Sequence, residues 1–258
     1  MSEIKERPIL FSAPMVRAIL GGRKTVTRRP VKGCQIPVED ASVAAGERHR
    51  WMAIAQRDPR YGFGVFGATE AECAKELEEF APCPYGRRGE RLWVREAWAA
   101  DAQVDSIAPR DLSQGAPILY PADGAIRQTG CSMITQGRGR PSIHMPRWAC
   151  RILLEITDVR VERLQDISEE QARAEGCFFT DYGRKCGHGG KGWSEIGDCP
   201  APAEHHPQRE GWMWAETTSH EQCLGSARNA FGNLWNATGG NWDANPWVWV
   251  VEFKRIQP

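Results

Sequence analysis

Thr27 stands three positions after Lys24, inside the run GRKTVTRR at residues 22–29. A threonine hydroxyl is a weak nucleophile until a neighbouring base removes its proton. A lysine can be that base only when it is uncharged near neutral pH. Burial against apolar surface and a nearby arginine both push its pKa in that direction. Lys24 and Thr27 therefore read as a possible acyl-transfer pair, with Arg28 or Arg29 supplying the like charge. The competing reading is a basic strand whose arginines contact a phosphate backbone and whose threonine is a surface β residue.

Either reading depends on the elements that hold these residues. PILF at 8–11 reads as a short strand. Ser12 is placed to cap a helix with Pro14 in its first turn and Met15, Ile19 and Leu20 on one side. Gly21 and Gly22 stop that helix, and residues 25–31 run extended. Leu92 and Val94 alternate with charge in a strand after the turn at Gly89. WACRILLEITDVRVER at 148–163 holds one or two strands rich in β-branched residues. Ser168 and Gln171 form a capping box for a short helix that Gly176 ends, so Glu175 falls at its C-terminal end. Residues 220–237 carry Leu224, Ala227, Phe231, Leu234 and Trp235 on one helical stripe. PWVWVVEFKRI closes the chain as a strand. Few helices and short strands predict an α+β fold, a small, strongly curved sheet or barrel with helices on its outside.

Three segments interrupt this pattern, at about 33–82, 99–140 and 178–219. They read as loop-rich insertions, the first with a possible helix at 68–80. The ordered blocks, about 7–32, 83–98, 141–177 and 220–257, form one domain over residues 1–258.

Composition narrows the function classes. Lysine plus arginine equals aspartate plus glutamate at 33 each in 258 residues. A clamp for long nucleic acid carries a basic excess, so a nucleic-acid ligand here is expected to be small or contacted over a short patch. No run of 18 apolar residues or apolar leader is present, and the nine cysteines are scattered. The expectation is a cytoplasmic protein with reduced thiols and no membrane partner.

GRKTVTRR, GERLWVRE at 89–96, DISEEQARAEG at 166–176 and WVVEFKRI at 249–256 together resemble the ASCH domain of the PUA-like superfamily of small β-barrels. With PSIHMPRWA and NPWVWVVEFKRI, the pattern is similar to ASCH proteins of phages and prophages. The resemblance implies a small mixed β-barrel with short flanking helices, and kinship with bacterial amidohydrolases that deacylate N4-acetylcytidine. Their catalytic lysine falls on Lys24, their threonine on Thr27 rather than Thr25, their glutamate on Glu175, and a family arginine on Arg29. Many ASCH domains carry glutamate at the Thr27 position and are regarded as RNA-binding or undefined; threonine favours the hydrolase branch. The implied reaction needs no metal or cofactor. Thr27 attacks the acyl carbon, Lys24 is the base, and Glu175 orients the lysine or shuttles a proton to the leaving nitrogen. Backbone N–H groups near the Gly22–Thr27 turn are the expected oxyanion donors. Arg28, Arg29, Phe11 and Trp93 are expected to hold the substrate, a modified cytosine nucleoside.

Two alternatives stay open. One is a non-catalytic PUA-like module that binds RNA or modified nucleic acid through the arginine cluster. The other is a zinc site built from Cys177, Cys186, His188 and Cys199, with His205 and His206 nearby. The ligands lack a tight Cys-x-x-Cys pair, so such a site would pin the third insertion rather than do chemistry.

Overall fold

A computed structural model of the protein describes residues 4–32, 35–55, 63–81, 83–180, 185–186, 194–195, 201–202, 211–216 and 222–257. In chain order it contains β1 (Glu6–Leu10), α1 (Ala13–Leu20), β2 (Val26–Pro30), β3 (Val38–Glu39), β4 (Trp51–Ile54), β5 (Gly64–Gly67), α2 (Glu70–Phe80), β6 (Arg91–Arg95), β7 (Ala99–Ala100), β8 (Ile118–Tyr120) and β9 (Ala125–Arg127). Then follow β10 (Leu153–Arg163), α3 (Glu169–Ala174), β11 (Phe178–Phe179), β12 (Lys185–Cys186), β13 (Ser194–Glu195), β14 (Trp212–Met213), α4 (Ala227–Ala237) and β15 (Trp247–Ile256). Several single-turn 3₁₀ segments lie between them.

The fold is α+β. Five strands form the central sheet in the order β1-β6-β10-β15-β2. β1 runs parallel to β6, and the other neighbours are antiparallel. The β-branched run at 153–163 is one long strand, paired with β15 along its length. A register shift between Ile156 and Asp158 bends that pair. Trp247, Val248, Trp249, Val250 and Val251 are all buried. Successive side chains of a strand point to opposite faces, so β15 is covered on both. Among the described residues the sheet does not close into a barrel: no backbone pairing joins the edge strands β1 and β2. They do approach at one end, where an Arg29 terminal nitrogen donates to the Leu10 carbonyl at 2.6 Å.

The first interrupting segment is more ordered than its composition suggests. β3, β4 and β5 make a small antiparallel sheet, and α2 starts at the Thr69 cap, whose hydroxyl accepts from the Glu72 N–H. Ala53, Val65, Cys73 and Leu77 join the main core. β6 pairs with β10 only over Leu153–Glu155, and α2 covers the edge beyond. Glu78 accepts from the Val161 N–H, and Glu70 pairs with Arg163. An exposed edge is a liability that a helix can blunt, and these two carboxylates fix the helix there.

The second segment builds β7, β8 and β9 around its own small core of Trp98, Leu112, Ile118, Tyr120 and Met145. Arg151 ties it to the body through both oxygens of Glu96 and one of Asp123, each at 2.8 Å. Most of the third segment lies outside the described residues.

Two element expectations shift. α4 begins at 227 rather than 220, because the Ser226 hydroxyl caps it by accepting from the Asn229 N–H at 3.0 Å. Leu224 instead pairs with Trp212 in an isolated antiparallel bridge. Arg91–Arg95 does not alternate: Leu92, Trp93 and Val94 are all buried, since β1 and β10 flank this strand within the sheet. Among the described residues no helix is long and apolar enough to cross a membrane.

Candidate functional site

Lys24 and Glu175 meet because two helices end against each other. α1 stops at Gly21, and Gly22 takes the left-handed φ of 72° that a helix-ending glycine allows. The next two N–H groups, of Arg23 and Lys24, donate back to the Ala18 carbonyl. α3 carries the expected capping box between Ser168 and Gln171 and ends at Glu175. Gly176 then turns the chain with φ 105°. A Cβ there would lie 2.9 Å from the Ala18 Cβ, so only glycine lets α3 end this close to α1. The Thr25 N–H donates to Ala174, and Lys24 and Glu175 form an isolated antiparallel bridge.

The side chains follow the backbone. Lys24 Nζ donates to Glu175 Oε2 at 2.5 Å and to the Glu175 carbonyl at 2.9 Å. Lys24 is 3% exposed and Glu175 2%. Burial pulls the Lys24 pKa below its ordinary value; the Glu175 charge opposes that shift and Arg29 adds to it. The Lys24 ammonium position lies 5.7 Å from the Phe11 ring centroid.

Thr27 is also buried and shares a cavity of about 280 Å³ with Phe11, Lys24, Arg29, Glu175 and Trp235. Its side chain makes no hydrogen bond among the described residues, and both Nζ partners of Lys24 belong to Glu175. Strand pairing sets the backbone around Thr27. Phe253 N–H donates to the Thr25 carbonyl, and Val31 N–H to the Trp247 carbonyl. In an antiparallel ladder these bonds alternate, so Thr27 and Arg29 pair toward β15. The backbone N–H of Arg28 therefore points to the open edge of β2.

The two arginines have different jobs. The Arg28 side chain is fully buried. One of its terminal nitrogens reaches Glu175 Oε1 at 3.3 Å; the other reaches Glu162 at 3.1 Å and Gln171 at 3.0 Å. It was expected at the substrate; instead its fork is committed to holding α3 and Glu175 against the sheet. Arg29 is partly buried over the Phe11 ring, 5.2 Å from its centroid, and donates only to Leu10 among the described residues.

Trp93 does not join the site. It packs with Cys150 and Leu153 in a separate small cluster, with the Arg95 guanidinium 4.5 Å from its ring centroid, and it does not line the cavity. Its neighbours in the sheet are Pro8 and Leu153, which draw it into packing. Phe11 does line the cavity. Residues not foreseen as part of the site are Gln171, Glu162 and the α4 wall of Phe231 and Trp235. The helical stripe of α4 marked those two as core, and they serve as both core and wall.

His188, Cys199, His205 and His206 of the expected zinc set lie outside the described residues. Cys177 and Cys186 are buried. Burial pushes the Cys177 thiol up to about 12, so it stays protonated at neutral pH. Among the described residues no group of three or more potential ligands is placed to hold a metal ion.

No family model, curated protein or solved structure matches the chain.

Proposed function

We propose that the protein is an amide hydrolase that removes acyl groups from N4-acylated cytosine nucleosides, with Thr27 as nucleophile, Lys24 as base and Glu175 as its partner. The carrying observation is that these three side chains, each buried, with Glu175 151 residues beyond Lys24, line one small cavity. The resemblance to ASCH domains supplies the substrate class, and the curved five-stranded sheet is read as a PUA-like core.

The chemistry follows from the pKa logic. Burial lowers the Lys24 pKa, the direction that a general base working near neutral pH needs. Rotation of that amine from Glu175 toward Thr27 lets it take the Oγ1 proton as Oγ1 bonds to the acyl carbon. The C–N4 bond then breaks and N4 takes the proton back, releasing the cytosine amine and leaving an ester on Thr27. Water gives a proton to Lys24 as it attacks the ester. The C–Oγ1 bond breaks, the proton returns to Oγ1, and a carboxylic acid leaves. Glu175 holds the lysine while it carries the proton within each of the two steps. The Arg28 N–H on the open edge of β2 is the residue after the nucleophile, a position suited to an oxyanion donor.

The nucleic-acid-binding alternative has one arginine fewer to offer, since Arg28 is spent on Glu162, Gln171 and Glu175.

Incubation with N4-acetylcytidine tests the proposal. Cytidine and acetate should appear, and Thr27→Ala should lower kcat/KM by at least about 10³-fold. Release of cytidine by that variant at the native rate would refute the nucleophile assignment.

A further inference from the structure

Arg29 is an arginine without a carboxylate. Arg28, Arg151, Arg160 and Arg163, which also lie against the sheets, each meet at least one carboxylate within ion-pair distance; Arg95 on β6 meets none among the described residues but does not line this cavity. Among the described residues Arg29 meets none. A guanidinium has five N–H donors, and here one bond is made, to the Leu10 carbonyl. The Nε atom is buried without an acceptor among the described residues. A cation drawn partly out of water with no carboxylate in ion-pair reach, only the more distant charge of Glu175, keeps part of its desolvation cost.

The position of this charge is informative. Arg29 lines the same cavity as Lys24 and Thr27, and it sits two residues beyond Thr27 on the same face of β2. Ser12, whose hydroxyl makes no capping bond at the start of α1, lines the cavity too. Glu175 is the carboxylate facing this space, and its two oxygens are engaged by Lys24 and Arg28. The cavity wall around Arg29 therefore offers donors and positive charge and, apart from the engaged Glu175, no negative charge among the described residues.

We propose that Arg29 is an anion anchor, and that the substrate of this site carries a phosphate or carboxylate group that pairs with its guanidinium while the scissile amide lies at Thr27. This deepens the amide-hydrolase reading and rests on it for the position of the reacting group. The anion has two possible origins. It is the 5′-phosphate of a nucleotide, or it is a carboxylate at the far end of the acyl group. Either forms a charge-assisted, two-point bond that a neutral nucleoside cannot make.

Two substrate pairs distinguish the origins: N4-acetylcytidine against its 5′-monophosphate, and N4-butyrylcytidine against N4-succinylcytidine. The wild-type protein should favour the charged member of one pair by about tenfold or more in kcat/KM. Within that pair the ratio should collapse toward one in Arg29→Gln and partly recover in Arg29→Lys. Equal rates within both pairs, or a preference that survives in Arg29→Gln, would overturn the anchor. A second measurement needs no turnover: the Arg29 Nε–H resonance is followed in wild-type protein titrated with inorganic phosphate and with acetate. A saturable shift with either anion supports the anchor, and no shift with either overturns it. If the resonance shifts while no N4-acyl compound is hydrolysed, the anchor stands and the amide-hydrolase reading falls.

Discussion

Lys24 illustrates how one buried side chain couples chemistry to stability. Its folded pKa is lowered from 10.5, chiefly by burial. Over the interval between that lowered value and 10.5 the unfolded chain binds the extra proton, so the free energy of unfolding rises with pH across it. Lys24→Met removes this group from the balance. The variant should show a flatter dependence of its urea midpoint on pH from neutral to alkaline conditions. An unchanged slope would mean that Lys24 titrates normally and cannot act as a base. At this scale the sequence was informative where chemistry is local in pattern: Lys24 and Thr27 stood out by type and spacing, Glu175 by the ASCH resemblance, and all three line one cavity. It was less informative for Arg28 and Arg29, neighbours of the same type. What separates them is which partners the tertiary fold brings, Glu162 and Gln171 to one and the Phe11 ring to the other. No spacing rule along β2 encodes that. Trp93 was misjudged for a related reason, because adjacency to a motif says nothing about which side of a sheet a ring packs on.

The elements show the same division. Those with their own start and stop signals were legible. α3 has its capping box, α1 its two glycines, and β10 and β15 their β-branched runs. The short strands β4 and β5 have four residues each and are fixed by pairing with one another and with β3 and by packing of α2, so a reading by periodicity passes over them. α2 offers a test of how that unit is fixed. Its Glu78 accepts from the Val161 N–H at the β10 edge, and its pKa is raised above 4.5, first by burial and then by Asp158 and Glu162, against the pull of Val161 and Arg160. A raised carboxyl pKa means that the folded state holds its proton longer. Stability is therefore lost as pH rises from 4.5 through the folded value. Glu78→Gln keeps an acceptor for Val161 and carries no charge to desolvate. It should be more stable than wild type at neutral pH, and the difference should vanish as pH falls below 4.5. Thermal unfolding across that range reads both. A variant less stable than wild type at neutral pH would show that the ionised carboxylate is a net stabiliser of this edge.

The whole molecule builds its site at a seam. The ends of α1 and α3, the open edge of β2 and the wall of α4 reach one cavity from opposite ends of the chain. The cavity is thus a product of the assembled fold rather than of any one loop, and parting α1 from α3 should cost as much as unfolding the protein. That is a measurable claim, because Lys24 is 3% exposed. An amine-labelling reagent too large for the cavity should react with it only through global unfolding, so its labelling rate against urea should follow the unfolding curve reported by tryptophan fluorescence. Gly176 is the position at which this coupling can be broken. Its φ of 105° and the 2.9 Å approach of its virtual Cβ to Ala18 leave no room for alanine. Gly176→Ala should destabilise the protein by about 1–3 kcal/mol through backbone strain. It should also part α3 from α1, so that Lys24 is labelled in buffer while the tryptophan signal remains native. Labelling that still waits for global unfolding would mean that the Lys24–Glu175 bridge holds without that close approach, and that the seam is secured by Arg28 and the sheet instead.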